Sequence, residues 1–252
     1  MILTTQEKIE RYTANGWWGT KTIDDYFLDL VEQTPEKIAI IDPANKASLC
    51  NSEFLTYTYT QLDDKIDQVA DTLLSLGIEK DGIVAIQLPN IVELVITYFA
   101  VLRVGAIASP FPVQFREFEC TQMLQSLQAK AVITMNEISE REHAKMFKAL
   151  QEQVPSLQHI LTYDKSDLDD VVHINLAQNV APSEQLTRYK ETQDVTANDI
   201  FTICWTSGTE GKPKGVPRSH NEWFISAYAS VDAAQLNADD KILLTFPLVN
   251  MA

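Results

Sequence analysis

Alternation between helix-like and strand-like segments over residues 60–163 constrains the fold of this chain more than any other feature. A helical apolar face begins after Thr60, a good N-cap, and ends before Gly77. The run 83–88 is continuously apolar, as in a strand buried on both faces. Further helices are expected at 91–104, 116–128 and 139–153, and further strands at 106–109, 131–135 and 159–163. This order predicts an α/β fold of right-handed βαβ units, with a mostly parallel sheet covered by helices. Ligands of such sheets bind beyond the carboxyl ends of the strands.

The segments on either side of this block differ from it in composition. A polar stretch at 7–15 leads into Gly16-Trp17-Trp18-Gly19. Two adjacent tryptophans between glycines predict an N-terminal arm packed on the body, and direct ligand contact is the alternative. Residues 164–199 are acidic and polar, which predicts a long surface connection with one short strand.

A glycine-rich segment that begins at residue 206 reads Thr-Ser-Gly-Thr-Glu-Gly-Lys-Pro-Lys-Gly. It follows the apolar, β-branched run 200–205 and precedes Ser219, which with Glu222 forms a capping-box pattern. The expected layout is strand, glycine-rich loop and helix. Gly208, Gly211 and Gly215 allow backbone angles closed to other residues, so that the loop can wrap a ligand.

The chemistry of this loop suits phosphate. Backbone N–H groups, hydroxyls and ammonium groups bind phosphate oxygens, and the loop places Thr206, Ser207 and Thr209 at its head and Lys214 near its end. Neither Gly-x-x-x-x-Gly-Lys-Ser/Thr nor Gly-x-Gly-x-x-Gly occurs. On composition alone, a flexible surface loop rich in glycine and lysine is the competing interpretation.

The chain then divides into an arm and first βαβ block (1–163), the acidic connection (164–199) and a phosphate-loop segment (200–252).

Charge and cysteine content exclude several classes of protein. Lys and Arg number 20 against 35 Asp and Glu, which gives a net charge of −15. This argues against nucleic acid and anionic membrane as partners. Three widely spaced cysteines and four histidines without ligand spacing argue against disulfides and a zinc site. No signal peptide or membrane-spanning run is seen, which predicts a cytoplasmic protein.

The order Thr-Ser-Gly-Thr-x-Gly-x-Pro-Lys-Gly resembles the phosphate-binding signature of the AMP-forming adenylating enzymes. These are the acyl- and aryl-CoA synthetases, the adenylation domains of non-ribosomal peptide synthetases and the luciferases. Other resemblances are scattered over almost the whole chain. Gly16-Trp17-Trp18 and the segment 217–221 resemble the aryl-acid-activating branch, typified by 2,3-dihydroxybenzoate–AMP ligases. The segments at 55–62, 84–90 and 102–106 resemble the entry into the family's first long helix and its first βαβ unit.

The resemblance implies a function. A carboxylic acid attacks the α-phosphate of Mg²⁺-bound ATP, giving an acyl or aryl adenylate and pyrophosphate. A thiol of CoA or of a carrier protein's phosphopantetheine then displaces AMP. The residues implied to bind the ATP phosphates are Thr206, Ser207, Gly208, Thr209, Gly211 and Lys214. No catalytic residue and no protein ligand to the metal is identified within the chain.

Two positions depart from the family pattern. Glu210 stands where the family usually has threonine, and a carboxylate there would repel triphosphate unless it points away or pairs with Lys212 or Arg218. Residues 244–250 resemble a strand that lines the carboxylate pocket, and Asn250 occupies a place where many members have histidine. Asn250 is therefore a candidate substrate-pocket residue, with a strand-end turn residue as the alternative.

The family resemblance also predicts that this chain is an N-terminal fragment of the large domain, without the C-terminal lid domain. On that basis we expect residues 1–252 alone to be inactive in adenylation and to self-associate through an open apolar face. A non-catalytic nucleotide-binding module or an interaction domain is the competing function.

Overall fold

The structure of the chain is a computed structural model, and it describes residues 1–178, 180–206 and 213–249. The strands in these ranges are β1 (Ile38–Ile41), β2 (Thr56–Thr58), β3 (Ile83–Gln87), β4 (Ile107–Pro110), β5 (Ala131–Thr134), β6 (Glu137–Ile138), β7 (Arg141–Glu142), β8 (His159–Thr162), β9 (Val171–His173), β10 (Ile200–Thr206) and β11 (Lys214–Ser219). The helices are α1 (Gln6–Ala14), α2 (Ile23–Gln33), α3 (Lys46–Leu49), α4 (Tyr59–Ser75), α5 (Val92–Arg103), α6 (Glu117–Leu127), α7 (His143–Leu150), α8 (Glu184–Thr192) and α9 (His220–Ala234).

A seven-stranded sheet organises the chain, in the order β11-β10-β4-β3-β5-β8-β9. Every neighbouring pair is parallel except β10 and β11, which are antiparallel. The expected α/β fold with a mostly parallel sheet is confirmed. Strands from 1–163 and from 200–252 share this sheet, so the phosphate-loop segment is built onto the first βαβ block.

Two apolar clusters cover the two faces of the sheet. One includes Ile66 and Val69 of α4 with Leu94 and Ile96 of α5, and all four side chains are buried. The other includes residues of α6 and α7, among them Phe147 and Leu150. The central strands contact both clusters, which explains why their sequences are continuously apolar.

A buried arginine joins three helices of the first layer. Arg103 at the end of α5 bonds to Asp24 of α2 at 2.9 Å and to Asp63 and Asp67 of α4 at 2.6 and 2.7 Å. Burial opposes its charge, but the surrounding carboxylates outweigh this and raise the pKa of Arg103. The ion cluster fixes how these helices meet, since removal of one partner would leave a buried charge uncompensated.

The N-terminal arm packs as expected, but through only one of its two tryptophans. Trp18 is 7% exposed and meets the Tyr12 ring edge-on at 5.0 Å, whereas Trp17 is 57% exposed. The preceding polar stretch forms α1, which the sequence analysis did not predict and which buries none of its residues.

Two helix starts were wrong. Helix α4 begins two residues earlier than expected, because Thr58 and Gln61 form a reciprocal capping box while the Thr60 hydroxyl donates to Pro35 O. Helix α7 begins only at His143, because residues 137–142 form the short β6–β7 hairpin.

The acidic connection is more ordered than expected. It contains the predicted short strand, β9, and also α8, which was not predicted. Ser183 caps α8, and Leu186 is the only residue that the helix buries fully. The Tyr189 hydroxyl accepts from Lys80 N and donates to Val104 O, which joins α8 to the body.

Candidate functional site

The glycine-rich segment lies in a β-hairpin rather than directly before a helix. Strands β10 and β11 pair from Ile200 opposite Ser219 to Thr206 opposite Lys214. The expected strand–loop–helix layout is therefore wrong in one respect, since β11 lies between the loop and α9. The capping box is confirmed: Ser219 Oγ accepts from Glu222 N, and the Glu222 carboxylate accepts from Ser219 N.

Strand pairing brings two of the expected phosphate ligands together. Thr206 and Lys214 are the last pair before the hairpin tip, and the side chains of both are exposed. The Thr206 hydroxyl lies 3.5 Å from Lys214 O. Ser207, Gly208, Thr209 and Gly211 lie outside the described residues, as do Glu210 and Lys212. The two exposed residues, one with a hydroxyl and one with an ammonium group, therefore stand opposite each other at the end of the described ladder.

Gly215 is required here for space. A Cβ atom on this residue would lie 2.8 Å from Ile203 Cγ2 on the facing strand and 3.6 Å from the Trp205 ring. Its φ lies outside the left-handed region, so the expectation that Gly215 supplies a special backbone angle was wrong. The missing side chain instead lets β11 lie close against β10.

A polar contact holds the outer end of β10 to the centre of the sheet. Trp205 Nε1 donates to Ser109 Oγ at 2.9 Å, and the same hydroxyl donates to Ile203 O at 3.0 Å. The Trp205 ring also meets Phe111 edge-on at 6.2 Å. Sequence reasoning missed Ser109, whose only signal was its position at the end of a predicted strand.

The inner end of the hairpin is held by α9. Trp223 Nε1 donates to Thr202 Oγ1 at 2.8 Å, and the Arg218 guanidinium lies over the Trp223 ring at 5.7 Å. Arg218 pairs with Thr202 in the ladder, four pairs from Lys214. It therefore belongs to the base of the hairpin.

A cavity of about 580 Å³ opens beyond the carboxyl ends of β4 and β5. Both helices that follow these strands begin at its wall: Arg116 and Glu117 stand at the start of α6, and Glu142 and His143 at the start of α7. Arg141 and Lys145 complete its charged lining. Three cations against two carboxylates, together with two helix N-termini, make this cavity suited to an anionic group.

His143, which lines the cavity, is held in a single tautomer by Gln87. Gln87 Nε2 donates to Pro112 O at 2.9 Å and to Phe115 O at 3.3 Å, so its Oε1 faces His143 Nδ1 at 2.7 Å as an acceptor. Nδ1 therefore carries the proton. Burial, with the nearby Arg116 cation, lowers the pKa of His143 to about 4, which keeps the ring neutral at physiological pH.

The segment expected to form a substrate-pocket strand does not form one over its described part. Residues 241–249 contain no strand, and Asn90 at the start of α5 holds them. Asn90 Nδ2 donates to Phe246 O at 2.6 Å, and Leu248 N donates to Asn90 Oδ1 at 2.9 Å. Asn250 lies outside the described residues.

In residues 1–178, 180–206 and 213–249, no group of three or more His, Cys, Asp or Glu side chains could hold a metal ion. No helix in the described part of the chain is long and apolar enough to cross a membrane.

The fold is shared with a longer chain of known structure. The apo structure of MbtA from Mycobacterium smegmatis superposes with a TM-score of 0.76 at 24% identity, over 94% of this chain and 41% of that one. A medium-chain fatty-acid–CoA ligase of Escherichia coli is 30% identical over 96% of this chain and 41% of its own length. A 2,3-dihydroxybenzoate-AMP ligase of Bacillus subtilis is 25% identical over 97% of this chain and 42% of its own length.

The family follows from a match to its sequence model. Residues 27–252 match the model described as AMP-binding enzyme, so the chain belongs to the AMP-binding enzyme family. This confirms the resemblance based on the glycine-rich segment. The chain spans about two fifths of the length of the relatives it matches.

Proposed function

We propose that this chain carries the phosphate-binding part of a ligase that activates an acyl or aryl carboxylic acid with ATP. The carboxylate oxygen attacks the α-phosphorus of ATP, and the bond from that phosphorus to the β-phosphate oxygen breaks to release pyrophosphate. The acyl or aryl adenylate is then attacked by a thiol, from CoA or from a carrier protein's phosphopantetheine, and AMP leaves. Mg²⁺ bound to the phosphates would lower the charge that develops on the departing pyrophosphate.

The observation that carries this proposal is the pairing of Thr206 with Lys214 at the base of the hairpin tip. In this position Lys214 neutralises charge on the distal phosphates and Thr206 donates a hydrogen bond to a phosphate oxygen. Ser207, Gly208, Thr209 and Gly211 are assigned to the same phosphates from the sequence motif. Asn250 is assigned to the acid pocket on the same basis.

The basic cavity supports a site for the acceptor's phosphate. Arg116 and Arg141 in its lining can pair with phosphate oxygens, whereas Lys145 already pairs with Glu142 at 2.8 Å. CoA carries more phosphate groups than carrier-bound phosphopantetheine, so this lining favours CoA of the two acceptors.

The segments that resembled the aryl-acid branch contact each other in the structure. Gly19, next to the tryptophan pair, exchanges two hydrogen bonds with the Asn221 side chain. These bonds attach the arm to the start of α9. The relatives include both a fatty-acid and an aryl-acid ligase, so the proposal covers both kinds of acid.

Ligand titration tests the proposal. Calorimetry with ATP, AMP and a non-hydrolysable acyl-adenylate analogue should give tightest binding for the analogue, because it resembles the activated intermediate. Binding of ATP with no preference for the analogue would support a non-catalytic nucleotide-binding module, and no binding at all would support an interaction domain. In a pyrophosphate-exchange assay, we expect residues 1–252 alone to give no sustained exchange with any acid.

A further inference from the structure

The start of α9 joins the N-terminal arm to the base of the phosphate hairpin. Strand β11 ends at Ser219, and His220 and Asn221 follow as the first residues of the helix. Both side chains are buried at 2% exposure, although both are polar. Buried polar groups require hydrogen-bond partners, and Gly19 of the arm, Ile23 of α2 and Asn198 supply them.

Asn221 binds the arm through both ends of its carboxamide. Its Oδ1 accepts from Gly19 N at 3.0 Å, and its Nδ2 donates to Gly19 O at 3.1 Å. The same Nδ2 donates to Asn198 Oδ1 at 3.0 Å, and the Asn221 backbone N–H donates to Ala197 O at 3.0 Å. One side chain therefore ties the arm to the residues just before β10.

His220 links α2 to β10. Its Nδ1 accepts from Ile23 N at 3.2 Å, which satisfies a free N–H at the first turn of α2. An accepting Nδ1 places the ring proton on Nε2. The ring stacks on Phe201 of β10, with centroids 5.4 Å apart and planes at 20°. Burial lowers the pKa of His220 to about 4, so the ring is a neutral acceptor at physiological pH.

We propose that His220 and Asn221 are positioning residues, through which the start of α2 and the N-terminal arm set the orientation of the phosphate-binding hairpin. His220 stacks on Phe201 at the base of β10, and Asn221 bonds to Ala197 and Asn198 just before that strand. Both residues directly follow the end of β11 in the chain. Thr206 lies five residues beyond Phe201 along β10, about 17 Å away at the rise of an extended strand. A small rotation at the base would displace Thr206 and Lys214, so the arm acts on phosphate binding without touching the ligand. The ATP-binding part of this inference rests on the proposed function.

Five variants and the wild-type chain test the proposal. His220→Ala removes the bond to Ile23 of α2 and Asn221→Ala removes the bonds to Gly19 of the arm. His220→Asn keeps an acceptor, Oδ1, near the position of Nδ1 and should retain the Ile23 bond. Leu150→Ala is the control, because it opens a cavity in the other apolar cluster, on α7, and lowers stability without touching the arm. Asn221→Asp keeps only the acceptor for Gly19 N, and it replaces the alanine variant should that variant not fold.

The first readout is hydrogen exchange at the amides of 200–206 and 214–219. We expect His220→Ala and Asn221→Ala to speed this exchange ~10-fold more than Leu150→Ala does, because the base of the hairpin opens locally. His220→Asn should restore exchange close to that of the wild type. Equal exchange in the arm variants and the control, or no recovery in His220→Asn, would overturn the proposal.

The second readout is the dissociation constant of Mg²⁺-ATP. The arm variants should weaken binding ~5-fold, with recovery in His220→Asn and no change in Leu150→Ala. Unchanged ATP affinity in the arm variants would overturn the positioning role. Failure of the wild-type chain to bind ATP would instead overturn the proposed function, and the exchange readout would still decide whether the arm braces the hairpin.

Discussion

The indole N–H of Trp205 donates to the hydroxyl of Ser109 at 2.9 Å, across 96 residues of sequence. Trp205 is the penultimate residue of β10, and Ser109 lies in β4, the next strand of the sheet. Because Ser109 also donates to Ile203 O, one hydroxyl holds both the backbone and a side chain of β10. The end of β10 that carries Thr206 is thereby fixed to the central sheet.

Ser109→Ala should lower the free energy of unfolding by about 1–3 kcal/mol, because it leaves the Trp205 indole and the Ile203 carbonyl without this partner. Urea denaturation followed by tryptophan fluorescence measures the change. Ser230→Ala is the matched control, since it removes an exposed hydroxyl that bonds within α9. Equal effects of the two substitutions would show that the Ser109 hydrogen bonds stabilise the fold no more than an exposed hydroxyl on a helix does.

Gly215→Ala should destabilise the hairpin, because its Cβ would lie 2.8 Å from Ile203 Cγ2. Overpacking of this kind costs about 1–3 kcal/mol. At Gly19 a Cβ would meet no atom within 4 Å, so Gly19→Ala is the control and should change stability little. Thermal unfolding compares the two, and a higher melting temperature for Gly215→Ala would contradict the steric argument.

The sequence predicted the central sheet because strands buried on both faces are continuously apolar, as at β3 and β5. It missed β11 because Gly215 and Pro217 both have low strand propensity. The structure accommodates Pro217 because β11 is an edge strand, where a missing N–H need not break the ladder. Helix α8 was missed because it buries only Leu186, too little for an apolar periodicity.

The candidate site was predictable where it depends on local chemistry and not where it depends on distant contacts. The hydroxyls, glycines and Lys214 follow one another in the sequence, and the capping box at Ser219 is a local pattern. The bonds from Trp205 to Ser109 and from Asn221 to Gly19 join residues 96 and 202 positions apart. No periodicity or spacing predicts contacts at that separation, because they arise only when the sheet assembles.

Stability should fall as the pH is lowered from about 6.5 to about 4, because two histidines are buried in neutral form. Burial lowers the pKa of both His143 and His220 to about 4. Over this window the two histidines are protonated in the unfolded chain and neutral in the folded chain. Each therefore lowers the free energy of unfolding by about 1.4 kcal/mol per pH unit as the pH falls. Below the lowered pKa both states are protonated and the contribution levels off.

His143→Asn isolates one of these two contributions, since its amide group can still donate to Gln87 Oε1. Urea denaturation between pH 4.5 and 6.5 measures how the free energy of unfolding depends on pH. In His143→Asn this dependence should be weaker than in the wild type by the contribution of about one proton. Leu150→Ala, on the same helix and without a change in titratable groups, should leave the slope unchanged. An unchanged slope in His143→Asn would mean that the ring is not held neutral.

A sample of residues 1–252 should self-associate through the segment 241–249. Ile242 is 72% exposed, Leu243 87% and Phe246 71%, and contiguous apolar exposure of this kind favours association. Leu243→Glu should shift the sample toward monomer in light scattering. Val180→Glu adds the same charge at an exposed apolar residue elsewhere and should have less effect. A monodisperse wild-type monomer would refute the expectation.

Lys214→Ala should weaken ATP binding more than AMP binding, because the ammonium group stands opposite Thr206 at the base of the tip and is assigned to the distal phosphates. Loss of one charge-assisted contact of about 1.5–3 kcal/mol corresponds to a ~10- to 150-fold weaker affinity for ATP. Lys8→Ala, which removes an exposed lysine on α1, changes the net charge equally and should leave both affinities unchanged. Calorimetric titration of each variant with Mg²⁺-ATP and with AMP measures the ratio. If Lys214→Ala weakened the two nucleotides to the same degree, Lys214 would act on the α-phosphate or on the fold of the hairpin, and its assignment to the distal phosphates would be wrong.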